Sequence, residues 1–381
     1  MDRSLISNTN RVVIKFGTNI LTNDEGDVSL SRVYSFIEDV SKLRKEGKEV
    51  ILVTSGAVGL GKSKLGLEST DATALKQACA AVGQGRLMSI YEAGFDKYGL
   101  AVAQILLTED DFSQRKRYLS LRMTLNKLLE LKVIPIINQN DTVSTIELDE
   151  LYDDMQVCFS DNDKLSALVA SELDADLLVI LSDVEGLYDS NPKTNSNAKI
   201  IPVVENVTDE ILNLGEGASS GGRGGMRTKL EAARLVTRSG GTVLVANGKT
   251  PSVINQIFSE NEIGTIFLPH QELLSGKKRW IGYATNILGK IIVNYGAKKA
   301  ILEKESSLLP IGVVEIRNEF KKGEVVSILD ENEKEIARGM VNYNSDDCKK
   351  LIGAHSDDIS KILGYKNYDA VITRDNITVL E

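Results

Sequence analysis

A glycine-dense run, Gly221-Gly222-Arg223-Gly224-Gly225-Met226-Arg227-Thr228-Lys229, passes straight into the helical pattern Leu230-Glu231-Ala232-Ala233-Arg234-Leu235. Glycines let the backbone take positive φ and come close to a ligand, and the first turn of a helix offers unpaired N–H groups at its positive dipole end. The group such a corner binds is an anion, most naturally a phosphate. Lys229, about one turn into the helix, adds a full positive charge beside it. Other polar residues stand where apolar runs stop: Lys15 and Gly17, Ser55 and Gly56, the stretch 138–141, and Asp183. A glycine-rich loop alone is weak evidence, and these companions give it weight.

The elements that must position these residues follow from the apolar pattern. Runs at 12–16, 50–53, 102–106, 133–137, 177–181 and 242–246 read as buried parallel strands, and segments such as 31–46 and 120–131 carry helical spacing between them. Alternating strands and helices predict an α/β sandwich with a largely parallel sheet, whose ligands collect at the carboxyl ends of the strands. The polar residues above fall at those ends. Beyond about residue 270 the texture changes. Lys277-Lys278-Arg279-Trp280 marks a basic junction, followed by short strand-like pieces at 290–293, 313–316, 324–329 and 336–341, with Pro310 and turn-forming stretches between them. The expected division is 1–270 for the α/β domain, 271–287 for a linker and 288–381 for a small mostly-β domain.

Composition narrows the chemistry. With 381 residues and 42% hydrophobic content the chain can bury a sizeable core. No run approaches the roughly 18 apolar residues of a membrane span, and the polar start Met1-Asp2-Arg3-Ser4 lacks a signal-peptide core, so a cytoplasmic location is expected. Cys79, Cys158 and Cys348 are odd in number and far apart, which fits reduced structural thiols. His270 and His355 stand away from every motif, which removes Ser-His-Asp hydrolases and His-ligated metalloenzymes. The net charge of -9 argues against a general nucleic-acid binder.

One competing pattern stands out. Gly56-Ala57-Val58-Gly59-Leu60-Gly61-Lys62-Ser63 satisfies the P-loop pattern G-x-x-x-x-G-K-[ST] and follows an apolar strand, so a P-loop NTPase is an alternative. Against it, Gly66, Ser69 and Thr70 break the helix that a P-loop requires, and a P-loop gives no reason for Lys15 or for the 221–229 loop.

Five ordered motifs resemble the amino acid kinase family: Val13-Ile14-Lys15-Phe16-Gly17-Thr18, Val53-Thr54-Ser55-Gly56-Ala57, Ser160-Asp161-Asn162-Asp163, Ser182-Asp183 with Gly186-Leu187-Tyr188, and Gly224-Gly225-Met226 with Thr228-Lys229. Within that family the set is similar to the members that phosphorylate the γ-carboxylate of L-glutamate with ATP, the first step of proline biosynthesis. The tail resembles a PUA domain through Ser306-Ser307-Leu308-Leu309-Pro310 and Val341-Asn342-Tyr343-Asn344-Ser345.

The resemblance implies a three-layer sandwich around a mostly parallel sheet, and a division of labour. Lys15 and Lys229 would be the catalytic cations, and Asp163 the acceptor that orients them. Asn162 and Asp141 would grip the amino and α-carboxylate groups of glutamate, with Ser55 and Gly56 at its γ-carboxylate. Ser182, Asp183, Arg223, Gly224, Gly225, Met226, Arg227 and Thr228 would contact ATP together with the two lysines. Mg2+ would ride on the phosphates with no protein ligand. The family also implies proline as a feedback inhibitor, a homo-oligomer, and hand-over of the labile acyl phosphate to glutamyl phosphate reductase.

Members acting on aspartate, acetylglutamate, carbamate or UMP share the fold and both lysines, whereas residues 138–141 and the PUA-like tail favour glutamate. Gln139 and Arg223 stand where the family pattern has glutamate and threonine. The segment 142–160 is longer and more acidic than that pattern and would serve as a lid or an edge decoration. PUA domains often sit on RNA-modifying enzymes, which makes RNA binding through the tail a further alternative. Residues 285–381, however, hold 14 Lys and Arg against 16 Asp and Glu, a balance of -2 that lacks the basic footprint of an RNA reader.

Overall fold

The computed structural model of the protein describes residues 3–23, 27–67, 72–143, 162–215, 225–270, 274–284 and 286–380. They form two compact units, one built from the chain up to 270 and the other from residues 112–115 and the chain from 274 onward.

In the first unit β1 (Arg11–Phe16), β2 (Glu49–Val53), β3 (Val102–Leu107), β4 (Ile134–Gln139), β5 (Leu177–Ser182), β6 (Val203–Val204), β7 (Thr242–Asn247) and β8 (Thr265–Phe267) make one sheet. Its order is β3-β4-β2-β1-β5-β7-β8-β6. Neighbouring strands run parallel except β7 and β8. The principal helices are α1 (Leu30–Lys45), α2 (Ala57–Leu65), α3 (Thr73–Asp96), α4 (Arg115–Glu130), α5 (Asn162–Glu172) and α6 (Met226–Arg238).

The central strands are buried on both faces, so they read as apolar runs, and the parity of side chains decides which face each residue serves. Val12, Ile14 and Phe16 of β1, Val50 and Leu52 of β2, Ile134 and Ile136 of β4, and Leu177, Val179 and Leu181 of β5 share one hydrophobic cluster. Val33, Phe36, Ile37 and Val40 of α1 join it from above, with Leu87, Tyr91 and Phe95 of α3. Val13 and Lys15 alternate to the opposite face, where α5 packs on β1 and β5 and α6 packs on α5 and β7. Helices on both faces of a mostly parallel sheet give three layers. The order places β1 centrally, with β2 and β4 on one side and β5 and β7 on the other, so the chain leaves β1 in opposite directions and opens a crevice at its carboxyl end.

Helix α2 explains the false P-loop pattern. Residues 57–65 are helical throughout and end at Gly66 in the left-handed region, φ 66°, so the stretch before Lys62 and Ser63 is a helix and not a phosphate-cradling loop. Lys62 sits in the last turn of that helix. The glycines serve packing instead. A Cβ on Gly83 of α3 would lie 1.8 Å from the Ala57 carbonyl oxygen, and one on Gly61 would lie 1.8 Å from the Cys79 carbonyl oxygen. The two helices therefore touch backbone to backbone.

The second unit contains β9 (Gly289–Val293), β10 (Val313–Arg317), β11 (Val325–Leu329), β12 (Glu335–Met340) and β13 (Ile377–Val379), in the order β10-β9-β11-β12-β13. Only the β9–β11 pair is parallel among the described strands. Its core gathers Ile291, Val293, Val326, Ile328, Ile336 and Val341. The turn from β11 to β12 is tied by Asp330, which accepts from the backbone N–H groups of Asn332 and Lys334 at 2.9 and 3.0 Å and from Lys298 Nζ at 2.7 Å. No helix among the described residues is long and apolar enough to cross a membrane.

Candidate active site

The carboxyl ends of β1, β2, β4 and β5 converge on the first turns of α5 and α6. Helix α5 starts at Asn162, so Asp163 lies in its first turn, where the helix dipole favours a negative charge. Asp163 is fully buried. Lys15 Nζ, reaching from the face of β1 that α5 covers, lies 2.6 Å from Asp163 Oδ1. Lys229 Nζ, from the first turn of α6, donates to Asp163 Oδ2 at 2.9 Å. Thr228 Oγ1 donates to the same oxygen at 3.1 Å. Both lysines are almost wholly buried. Two residues 214 positions apart in the chain thus share one carboxylate, and the three side chains carry a net charge of +1 out of water.

Gly17 follows Lys15 closely against β5: its N–H donates to the Leu181 carbonyl at 3.0 Å, and a Cβ there would meet that oxygen at 3.3 Å and Lys15 Nζ at 3.8 Å. At the end of β5, Asp183 accepts from Asn19 Nδ2 at 3.0 Å and from Ser182 Oγ at 3.2 Å. Burial pushes its carboxyl up, but the bonds from Asn19, its own backbone and Ser182, with the charge of Lys229, outweigh that and hold it below the ordinary carboxylate range. Gly225 is the N-cap of α6, and its carbonyl accepts from Thr228 Oγ1 at 2.9 Å. Met226 is half-buried, whereas Arg227 lies along the helix surface paired with Glu231 at 3.0 Å. Arg223 and Gly224 lie outside the described residues, as does the acidic segment from residue 144.

On the other side of the triad stands a cluster of amides. Asn162 Nδ2 donates to the Thr54 carbonyl at 2.6 Å, to Ser55 Oγ at 2.8 Å and to Asn138 Oδ1 at 3.0 Å. Asn138 shares the parity of Ile134 and Ile136, so it faces the α3 side of the sheet, where its Nδ2 donates to Gln84 Oε1 at 2.9 Å. Gly56, next to Ser55, takes φ 95° to turn β2 into α2, a conformation that favours glycine. Asp141 is half-buried in the turn after β4. Tyr91 of α3 supports the corner through a 3.1 Å bond to Thr54 Oγ1; burial, opposed by that bond, pushes its hydroxyl up to about 12.

The structure therefore brings Lys15, Lys229, Asp163 and Thr228 into one charged cluster, with Asn162 and Ser55 on one flank and Ser182 and Asp183 on the other. Sequence reasoning passed over Gln84, Tyr91 and Asn19. The usable signal for Gln84 was the pair Gly83 and Gly85 on either side of it, glycines inside a helical pattern, of which Gly83 makes a close backbone approach.

Comparison with known proteins came down on the same chemistry. The profile of the amino acid kinase family matches residues 10–247, and that of the PUA domain matches residues 289–363. Glutamate 5-kinase of Thermoanaerobacter sp. (strain X514) is 44% identical over 373 residues, 97% of this chain and 98% of that protein. The glutamate 5-kinase of Caldanaerobacter subterraneus subsp. tengcongensis is 45% identical over 373 residues, with the same coverage of both chains. That of Moorella thermoacetica is 45% identical over 380 residues, 99% of this chain and 98% of the relative.

Proposed function

This chain belongs to the amino acid kinase family, and from that premise we infer that it transfers the γ-phosphoryl group of ATP to the side-chain carboxylate of L-glutamate, the opening step of proline biosynthesis. The observation that carries the chemistry is the sharing of the Asp163 carboxylate by Lys15 and Lys229 at the carboxyl edge of the sheet. The choice of acceptor follows the relatives and is supported by the amides beside the triad.

A carboxylate nucleophile is already ionised at neutral pH, so the step requires no general base. One γ-carboxylate oxygen forms a bond to the γ-phosphorus while the bond to the β,γ-bridging oxygen breaks, giving an acyl phosphate and ADP. The obstacle is the approach of two anions, and what the protein supplies is alignment and positive charge. We assign Lys15 and Lys229 to the equatorial and bridging oxygens of the moving phosphoryl. Asp163 acts as the positioning carboxylate that holds the two ammonium groups apart and aimed. Ser55 and Gly56 hold the γ-carboxylate end of glutamate. Asn162 and Asp141 take its amino and α-carboxylate groups.

Ser182, Asp183 and the residues 223–228 form the nucleotide side. Mg2+ supplies charge neutralisation along the phosphates. The ion would be carried by the phosphate oxygens, with Asp183, an ionised carboxylate at the end of β5, on the nucleotide side. Inhibition by proline, self-association, hand-over of the acyl phosphate to a reductase, and a cytoplasmic location belong to the same proposal. So does the division into residues 1–270, 271–287 and 288–381.

Coupled ADP release, measured with glutamate, aspartate, N-acetylglutamate, carbamate and UMP in turn, tests the assignment. Turnover with glutamate is expected. Turnover with aspartate and none with glutamate would overturn the choice of acceptor.

A further inference from the structure

Gln84 comes from α3, a helix that contributes nothing else to the charged cluster, yet its side chain ends a continuous chain of amides that reaches it. Gln84 Oε1 accepts from Asn138 Nδ2, Asn138 Oδ1 accepts from Asn162 Nδ2 and from the Gln139 N–H, and Asn162 Nδ2 accepts nothing, spreading its two N–H bonds over Asn138, Thr54 and Ser55. Every link runs in one direction. A primary amide has a donor end and an acceptor end, so fixing one fixes the other. With Nδ2 engaged, Asn162 is left presenting Oδ1, and that oxygen is buried with no partner among the described residues. At the opposite end Gln84 Nε2 is also buried with no partner among the described residues. Buried polar atoms left unpaired are costly and uncommon in native structures, and here they are an acceptor at one terminus and a donor at the other. The head group of an α-amino acid offers both a donor ammonium and an acceptor carboxylate.

We propose that Gln84 is a positioning residue for the head group of the amino-acid substrate: by accepting from Asn138 it fixes which way both asparagine amides face, and so presents Asn162 Oδ1 to the substrate ammonium. The inference rests on the reading of glutamate as acceptor. The local architecture is built for it. Gly83 lacks a Cβ where one would strike the Ala57 carbonyl oxygen at 1.8 Å, so α3 lies flush on α2 and carries the next residue, Gln84, into reach of Asn138. Two turns further along α3, Tyr91 bonds Thr54, whose carbonyl also accepts from Asn162. Without an acceptor at position 84, the Asn138 amide keeps its present orientation only through the bonds that its Oδ1 accepts from Gln139 and Asn162, and its Nδ2 loses its partner. Rotated, it would turn a donor toward Asn162 and drive the Asn162 nitrogen toward the substrate cation.

The test compares wild type with Gln84→Met, which keeps length and burial but accepts nothing useful, and Gln84→Glu, which keeps the acceptor. Two constants are measured in the ADP-release assay: KM for glutamate and the inhibition constant of glutarate, the same dicarboxylate without the amino group. For Gln84→Met the ratio of glutarate inhibition constant to glutamate KM is expected to fall about tenfold, the effect of a weakened hydrogen bond to a charged group, with kcat and the KM for ATP within about threefold. Gln84→Glu is expected to keep the ratio within about threefold of wild type. The proposal is overturned if Gln84→Met keeps the ratio within about twofold, if Gln84→Glu loses it equally, or if kcat and both KM values worsen together as general loosening would make them. Should Gln84→Met fail to fold, Asn138→Ser cuts the chain at its next link. The same loss of ratio is expected there, and retention overturns the proposal. A wild-type enzyme inactive on glutamate would instead refute the assignment of the acceptor, a result read separately from the ratio.

Discussion

Replacing Lys229 by methionine separates catalysis from folding more cleanly than any other change at the site. Methionine keeps the buried methylenes of Lys229 and deletes only the ammonium. An ammonium about 4 Å from a phosphoryl oxygen at an effective dielectric near 20 contributes about 4 kcal/mol. If most of that is realised as charge builds in the transition state, kcat should fall about a thousandfold, since each 1.36 kcal/mol is tenfold in rate. The ground-state nucleotide feels part of the same charge, so KM for ATP should rise by less, about tenfold at most. Stability should hardly change, because Asp163 keeps Lys15 at 2.6 Å and Thr228 at 3.1 Å, and the net charge of the buried cluster falls from +1 to 0. Asp163→Leu is the contrasting variant: it strands two buried ammonium groups, and removing one partner of a buried ion pair costs about 3–5 kcal/mol. ADP release at saturating and limiting ATP, alongside thermal melting of both variants, reads the two effects independently. If Lys229→Met retains more than about a tenth of kcat, or loses ATP affinity in full proportion to kcat, the ammonium is not a transition-state contact and the reasoning fails.

Gly83→Ala is expected to destabilise the first unit by about 2 kcal/mol or more, because the new Cβ meets backbone atoms of α2 that no rotamer change can move, and a melting curve within a degree of wild type would contradict that packing. Lys62→Met should leave kcat and the KM for ATP within about twofold, since Lys62 lies in the last turn of α2 and not at a phosphate loop; a large loss would revive the P-loop alternative. In the second unit the bond from Lys298, helped by the Lys334 and Asn332 N–H groups and opposed by desolvation, holds Asp330 below its ordinary value of 3.8. A carboxyl depressed in the folded state stabilises above its unfolded pKa, and that contribution is lost as pH falls through the folded value. Asp330→Ala should therefore lower the melting temperature at pH 7, and the gap from wild type should close as the pH is taken below 3.8. A gap that stays constant over that range would exclude the charge as its cause.

The strands of the first unit were legible because parallel strands buried on both faces read as short apolar runs, and the six runs expected between 12 and 246 appear as β1 to β5 and β7. The short strands β8 and β6, the last two in the sheet order, escaped notice, since Thr265–Phe267 and Val203–Val204 are too brief to show any period. Helix α3 was also hard to see. It buries Gly83, Gln84 and Tyr91 along with Leu87 and Phe95, so its inward face mixes polar, small and aromatic residues and no amphipathic stripe emerges. The charged residues at strand ends and at the glycine-rich loop could be picked out by type alone. Which of them meet is a tertiary fact: nothing local to Lys15 or Lys229 says that one carboxylate, Asp163, lies between them. The same holds for Gln84, which the chain marks by the glycines on either side of it.

The placement of Asp163 also explains how such a concentration of charge survives inside the fold before any substrate arrives. Two ammonium groups brought together alone in a protein interior would repel each other and lose their hydration, each at a cost of several kcal/mol. The carboxylate between them turns that repulsion into two attractions, and its position in the first turn of α5 lets the helix dipole stabilise the negative charge in turn. The remaining +1 is left uncompensated by the three side chains and stands at the edge where four strands end. In the proposed reaction a phosphoryl group moving between two oxygens would bring the opposite sign to that location. Removing the carboxylate would not strengthen the site by freeing positive charge. It would strand two buried ammonium groups without their shared partner, so in the proposed reaction the same residue that makes the cluster foldable also keeps its charge aimed at the phosphoryl group.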